Sequence, residues 1–185
     1  MPQTALLVID MLNPYDHEDA EPLAESVEEA LPAIVDLRDR AAGAEDVLTV
    51  YVNDNYERWD AGRGDLVEQA LGGERRDLVE PIVPDERVPF IFKGRHSIFY
   101  ETGVAHLLHT HEVERVVLTG QVTEQCILYS ALDAYLRGYE ISVPRDAVAH
   151  IYEDMAAAAL KMMERNMHAD LTPAADGGVL NGRRR

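Results

Sequence analysis

The sequence predicts an α/β fold built on a parallel sheet, and three observations carry that prediction. Thr4 to Asp10 (Thr-Ala-Leu-Leu-Val-Ile-Asp) and Val47 to Val52 are short continuous apolar runs, the pattern of strands covered on both faces. Between them Ala30, Ile34, Leu37 and Ala41 recur at helical spacing, so the three segments form a βαβ unit with a right-handed crossover. A third apolar run, Val113 to Leu118, passes through Thr119-Gly120 into a second helical pattern of Ile127, Leu128, Ala131, Leu132 and Tyr135.

The remaining elements follow in order. Asn13-Pro14 breaks the first strand into an acidic loop reaching about Pro22. Ser26 with Glu29 has the form of a capping box, and Pro32 predicts a short first segment before the main helix, which Gly43 ends. Gly62 to Gly73 carries a short helical pattern, and Pro81 to Pro89 a proline-punctuated connector. Val88 to Lys93 is the third strand, and Thr102 caps a helix reaching about His111. Arg115 to Leu118 is the fourth strand. Thr123 is an N-cap type for the helix after it, and Gly138 supplies the positive φ at its end. Glu140 to Pro144 is the fifth strand. Glu153 to Met167 is a helix with Ala156, Ala157, Leu160 and Met163 inward, its methionines read as core filler, and a short last strand is expected near His168 to Leu171.

The length of 185 residues suits one domain, 1–185, with a tail over 177–185 that is frayed or sits at a subunit contact. A formal net charge of −17 disfavours phosphate backbones and anionic membranes, so neither nucleic acid nor a membrane is an expected partner. No apolar run approaches the roughly 18 residues of a membrane span, and the N-terminus lacks the basic and apolar regions of a signal peptide. A single cysteine rules out an internal disulfide and fits a reducing, cytoplasmic compartment.

Three strand ends carry reactive side chains. Cys126 falls in the first turn of a helix just after a strand, where free N–H groups and the helix dipole favour a thiolate; an inert buried thiol is the competing reading. Lys93 closes an apolar strand in a chain that uses 15 Arg and only two Lys, which points to a compact point charge or to a snorkelling side chain. Asp10 closes the first strand, as a reactive acid or as a loop cap. In a parallel sheet these ends share one edge, where ligands bind. A carboxylate can then take the thiol proton, an ammonium can hold negative charge, and the thiolate can attack a carbonyl. His106, His109 and His111 do not share one helical face, and they read as a solvated helix end rather than a metal site.

Leu-Leu-Val-Ile-Asp10-Met-Leu-Asn, Phe-Lys93 with Ser97-x-Phe99, and Thr-Gly120-x-x-Thr123-x-x-Cys126 followed by Ala131-x-Asp133-Ala resemble the isochorismatase-like cysteine hydrolases. So does Gly138-Tyr-x-x-x-Val-x-x-Asp146-Ala, and the similarity runs from about residue 4 to about residue 167. The resemblance implies a three-layer αβα, Rossmann-like fold: a parallel sheet of about six strands with helices on both faces, assembled as a homo-oligomer, a dimer or tetramer. It implies hydrolysis of a small amide, urea or carbamoyl substrate through a thioester, without a cofactor. Cys126 would be the nucleophile, Asp10 the general base and then acid to the leaving amine, and Lys93 the electrostatic partner. A cis peptide at Gln121–Val122 and an oxyanion hole from the N–H groups of Val122 and Cys126 are also implied. Nicotinamidases of this kind hold a metal with an Asp and two His; Asp54 matches the Asp, but Tyr56 stands where the first His would be, so no metal is expected. Tyr15, Asn53, Trp59, Phe99 and Tyr129 are the candidate substrate contacts. The competing functions are a catalytically idle binding or assembly protein of the same fold, and a vinyl-ether hydrolase of the isochorismate type, against which Cys126 argues.

Overall fold

Six parallel strands make a single sheet in the computed structural model, which describes residues 3–176 and 178–181. β1 (Thr4–Ile9) lies between β2 (Val47–Asp54) and β4 (Arg115–Gln121); β3 (Phe90–Lys93) borders β2. The far side of β4 is shared, with β5 (Glu140–Ser142) on its first half and β6 (Val148–Ala149) on its last two residues. The order β3-β2-β1-β4-β5 reverses direction at β1, so β1 and β4 flank the switch point where open α/β sheets form their crevice.

The apolar runs are explained by two-sided burial. Leu6 and Val8 of β1 face one layer, with Val27, Ile34 and Leu37 of α1 (Ala20–Ala42), Leu66 and Ala70 of α2 (Arg63–Leu71) and Leu78 of α3 (Arg76–Val79). Ala5, Leu7 and Ile9, one step out of phase, face the other. There they meet Leu108 of α4 (Val104–Thr110), Ala131 and Ala134 of α5 (Leu128–Leu136), and Ala159 and Met163 of α6 (Glu153–Met167). Each fully buried Leu, Ile or Val contributes about 1.5–3 kcal/mol. Gly120 is required where β4 passes β1: its φ is +108°, and a Cβ would lie 2.1 Å from the Ile9 carbonyl oxygen.

Several expectations need correction. α1 begins at Ala20 and runs through Pro32 without a break. Leu23 and Val27 extend its buried stripe backwards, and Pro22 falls in the first turn, where a missing N–H costs little. Ser26 is therefore not a cap; its hydroxyl accepts from the His150 N–H at 3.0 Å and lies 3.0 Å from His150 Nδ1, tying α1 to the loop after β6. Thr123 does not cap either, since its hydroxyl donates to the Ala149 carbonyl at 2.8 Å. The last strand is β6; near residue 170 only an isolated bridge to Ser142 forms. On α6, Ala157 and Met162 face outwards, because the inward stripe runs Ala156, Ala159, Met163. In the tail, Val179 and Leu180 are buried in the α1 layer rather than frayed, while residues 177 and 182–185 lie outside the described residues. Among the described residues no helix is long and apolar enough to cross a membrane.

Candidate active site

Parallel pairing puts the carboxyl ends of β1, β2, β3 and β4 along one rim. Asp10 follows β1 with φ +55°, a left-handed turn that Asp tolerates better than most residues. That turn aims its carboxylate across the sheet: Oδ1 accepts from the Asp54 N–H at 2.7 Å, and Oδ2 pairs with Lys93 Nζ at 2.8 Å. Lys93, at the end of β3 and in register with Asp54, also reaches Asp54 Oδ2 at 3.5 Å and Cys126 Sγ at 3.5 Å. The ammonium thus stands between the carboxylate and the thiol.

Cys126 is presented by an unusual turn. The Gln121–Val122 peptide is cis, and Thr123–Ile127 forms one π-helical turn before α5 begins. The Val122 carbonyl accepts from both Gln125 and Ile127 N–H at 3.1 Å. Glu124 in this turn accepts from the N–H groups of Ile151 and Tyr152 at 2.9 and 2.8 Å, which ties the turn to the start of α6. Gln121 donates to the Asp10 carbonyl at 2.6 Å, linking the β4 end to the β1 end.

The electrostatics follow from burial. Desolvation raises the Asp10 carboxyl above its usual range, with Lys93 pulling the other way. Burial would lower Lys93, but the Asp10 charge, followed by Cys126 and Asp54, carries it upward, so the ammonium stays charged. The Cys126 thiol is pushed up by burial first and then by the Asp10 charge, and Lys93 offsets only part of this. Against the expectation that the helix start favours a thiolate, a dry setting and the Asp10 charge oppose ionisation of the sulfur, and one turn of backbone dipole does not offset them.

The proposed pocket residues divide. Asn53 is buried, its amide accepting from Leu12 N–H at 2.9 Å and donating to the Leu12 and Asp54 carbonyls at 3.2 Å, so it braces the loop after β1. Tyr15 is buried in the α1 layer and donates to Gln121 Oε1 at 3.4 Å. Phe99 is buried in the opposite layer, its ring stacked on that of Tyr139 at 6.0 Å, with the Arg137 guanidinium over the Phe99 ring at 4.9 Å. These three are core residues, because aromatics and Asx beside a strand end serve packing and backbone satisfaction before they serve a ligand. Trp59 is 79% exposed and its ring covers Gly94. It lines an open cleft of about 710 Å³ with Asp54, Glu57, Arg58, Phe92, Lys93 and Arg95 among its walls. Tyr129 is exposed, with its ring 5.5 Å from that of His96.

Sequence reasoning missed His96, whose Nδ1 lies 3.7 Å from Cys126 Sγ. It also missed Asp54 as a second partner of Lys93. The signals were a histidine three residues beyond the strand-end lysine and a carboxylate ending the neighbouring strand.

Residues 4–176 match the family described as the isochorismatase domain. The chain belongs to the isochorismatase family. It is 33% identical over 168 residues to YaaI, an uncharacterized isochorismatase family protein of Bacillus subtilis (strain 168), spanning 91% of this chain and 92% of that one. Maleamate amidohydrolase of Pseudomonas putida is 29% identical over 170 residues, 84% of this chain and 76% of its own. The crystal structure of an isochorismatase-like hydrolase from Alkaliphilus metalliredigens superposes with a TM-score of 0.74 at 25% identity, covering 94% of this chain and 93% of that one. The isochorismatase family thus includes amidohydrolases.

The metal of the family's nicotinamidases does not fit the donors of this isochorismatase-family chain. The Tyr56 hydroxyl donates to the Leu12 carbonyl at 3.1 Å, and Asp54 is engaged by Lys93 and by the Tyr56 N–H at 2.8 Å. Among the described residues no group of three His, Cys, Asp or Glu could hold a metal ion.

Proposed function

We propose that this protein is a cysteine-dependent hydrolase that cleaves the C–N bond of a small amide, urea or carbamoyl substrate through a thioester on Cys126. One observation carries the reading: the Lys93 ammonium is shared by the Asp10 carboxylate at 2.8 Å and the Cys126 sulfur at 3.5 Å, at the rim where the sheet reverses. A carboxyl raised by burial is a stronger base than an exposed one, which suits Asp10 to take the thiol proton as sulfur attacks the carbonyl carbon. Lys93 would hold the negative charge in place throughout. The N–H groups of Val122 and Cys126 would receive the developing oxyanion. Asp10 would then return the proton to the leaving nitrogen as the C–N bond breaks. Trp59 and Tyr129, exposed at the cleft and beside His96, remain the aromatic candidates for substrate contact.

Screening small amides, ureas and carbamates for ammonia release tests the proposal. Turnover by the wild type that vanishes in Cys126→Ala is the expected result; turnover retained by the variant rejects it. The proposal extends to a cytoplasmic homo-oligomer, for which the exposed Leu132 and Leu136 of α5 and Met155 and Met162 of α6 offer apolar surface. Sedimentation at the 20.7 kDa of a single chain would reject that part.

A further inference from the structure

A thioester must be hydrolysed as well as formed, and the second half needs a base on the side of the thioester that water can reach. Once the amine has left with its proton, the Asp10 carboxylate is again held by Lys93 at 2.8 Å and by the Asp54 N–H at 2.7 Å. Its side chain keeps only 10% exposure, and Lys93 has none. Water must arrive from the open side of the sulfur. His96 is on that side: it is exposed, and its Nδ1 lies 3.7 Å from Sγ.

The ring is held there by its neighbours in the chain. Lys93, three residues before, ends β3. Ser97, immediately after, donates to Asp133 Oδ2 of α5 at 2.6 Å, and the Ile98 N–H donates to Ser130 Oγ at 3.1 Å. Tyr129, one turn along from Cys126, flanks the imidazole. The groups facing it are therefore Cys126 with Lys93, Asp10 and Asp54 behind, Tyr129 from α5, and Arg95 beside it on its own loop.

We infer that His96 is a further catalytic residue, the base that activates water against the Cys126 thioester. This rests on the thioester reading above. The water oxygen bonds to the thioester carbon while its proton passes to the imidazole. The C–S bond then breaks with its electron pair going to sulfur, and the imidazolium returns the proton to Sγ. The products are the free acid and the thiol, and Asp10 stays paired with Lys93 throughout deacylation.

p-Nitrophenyl acetate is the probe, because its leaving group needs no proton and acylation can be timed separately. With Cys126→Ala as background, the wild type should release a burst of p-nitrophenolate followed by a slower steady rate. His96→Gln should keep the burst within about twofold and slow the steady rate about a hundredfold, with one acetyl group accumulating on Cys126 by intact mass. Added imidazole should speed deacylation of His96→Ala, a readout that a packing role would not move. Steady rates in both variants within about twofold of wild type overturn the inference, as does a burst lost together with the steady rate. A wild type with neither burst nor acetyl adduct overturns the thioester reading itself, and the role of His96 with it.

Discussion

Two cations in this molecule each stand between two carboxylates, in opposite settings. Lys93 lies between Asp10 and Asp54 with no exposed side-chain surface. Arg75 lies between Glu28, in close contact, and Asp77 at 2.8 Å, and both carboxylates are more than half exposed. Around Arg75 the carboxylates keep most of their water, so the hydrogen bond from Arg75 is the leading influence on Asp77 and lowers it. Around Lys93 desolvation is the leading influence on Asp10, on Cys126 and on the lysine itself. A cation between two carboxylates makes an ordinary ion-pair cluster at the surface and a desolvated one with displaced proton affinities in the interior. Burial, rather than the choice of residues, separates the two.

The largest expected effect lies at the buried site. Cys126→Ala should lower kcat by about four orders of magnitude or more on any substrate found, with a near wild-type thermal transition, since a small thiol is replaced by a methyl group. Next is Lys93→Met. It leaves the Asp10 charge buried without its ammonium, and chemical denaturation should show a loss of about 3–5 kcal/mol besides lost turnover. A loss no larger than that of a surface pair would erase the contrast with Arg75.

Asp10→Asn sharpens the contrast through pH. The Asp10 charge raises the thiol, and Lys93 lowers it. Removing the carboxylate while keeping the lysine therefore moves the thiol downward. Iodoacetamide should alkylate Cys126 of the variant about tenfold faster at neutral pH, with the rate rising at lower pH than in wild type, although turnover is lost. Slower alkylation would reverse the assigned sign. The smallest effect is Arg75→Ala, expected to cost about 0.2–1 kcal/mol and less at high salt, measured by denaturation at two ionic strengths.

How much of this was legible depended on the range of the interaction. The β1 run was readable because Leu6 and Val8 alternate with Ala5, Leu7 and Ile9, and both sets are apolar. The start of α1 was not, because Leu23 gains its place only by packing across the sheet layer, and a proline at position 32 locally argues for a break. The packing roles of Phe99, Tyr15 and Asn53 were not legible for a related reason. Their residue types suit both a pocket and a core, and only their neighbours, Tyr139, Gln121 and Leu12, decide between these.

The sequence by itself determined the parallel α/β architecture and the chemical identity of three strand-end groups, because periodicity and strand-ending side chains are encoded within a few residues of each other. Tertiary structure alone decided that Lys93 is shared by two carboxylates, that His96 touches the sulfur, and that burial and the Asp10 charge push the Cys126 thiol upward. Contacts between distant strand ends, and the desolvation that shifts their protons, exist only once the strands are ordered and the two helical layers close over them.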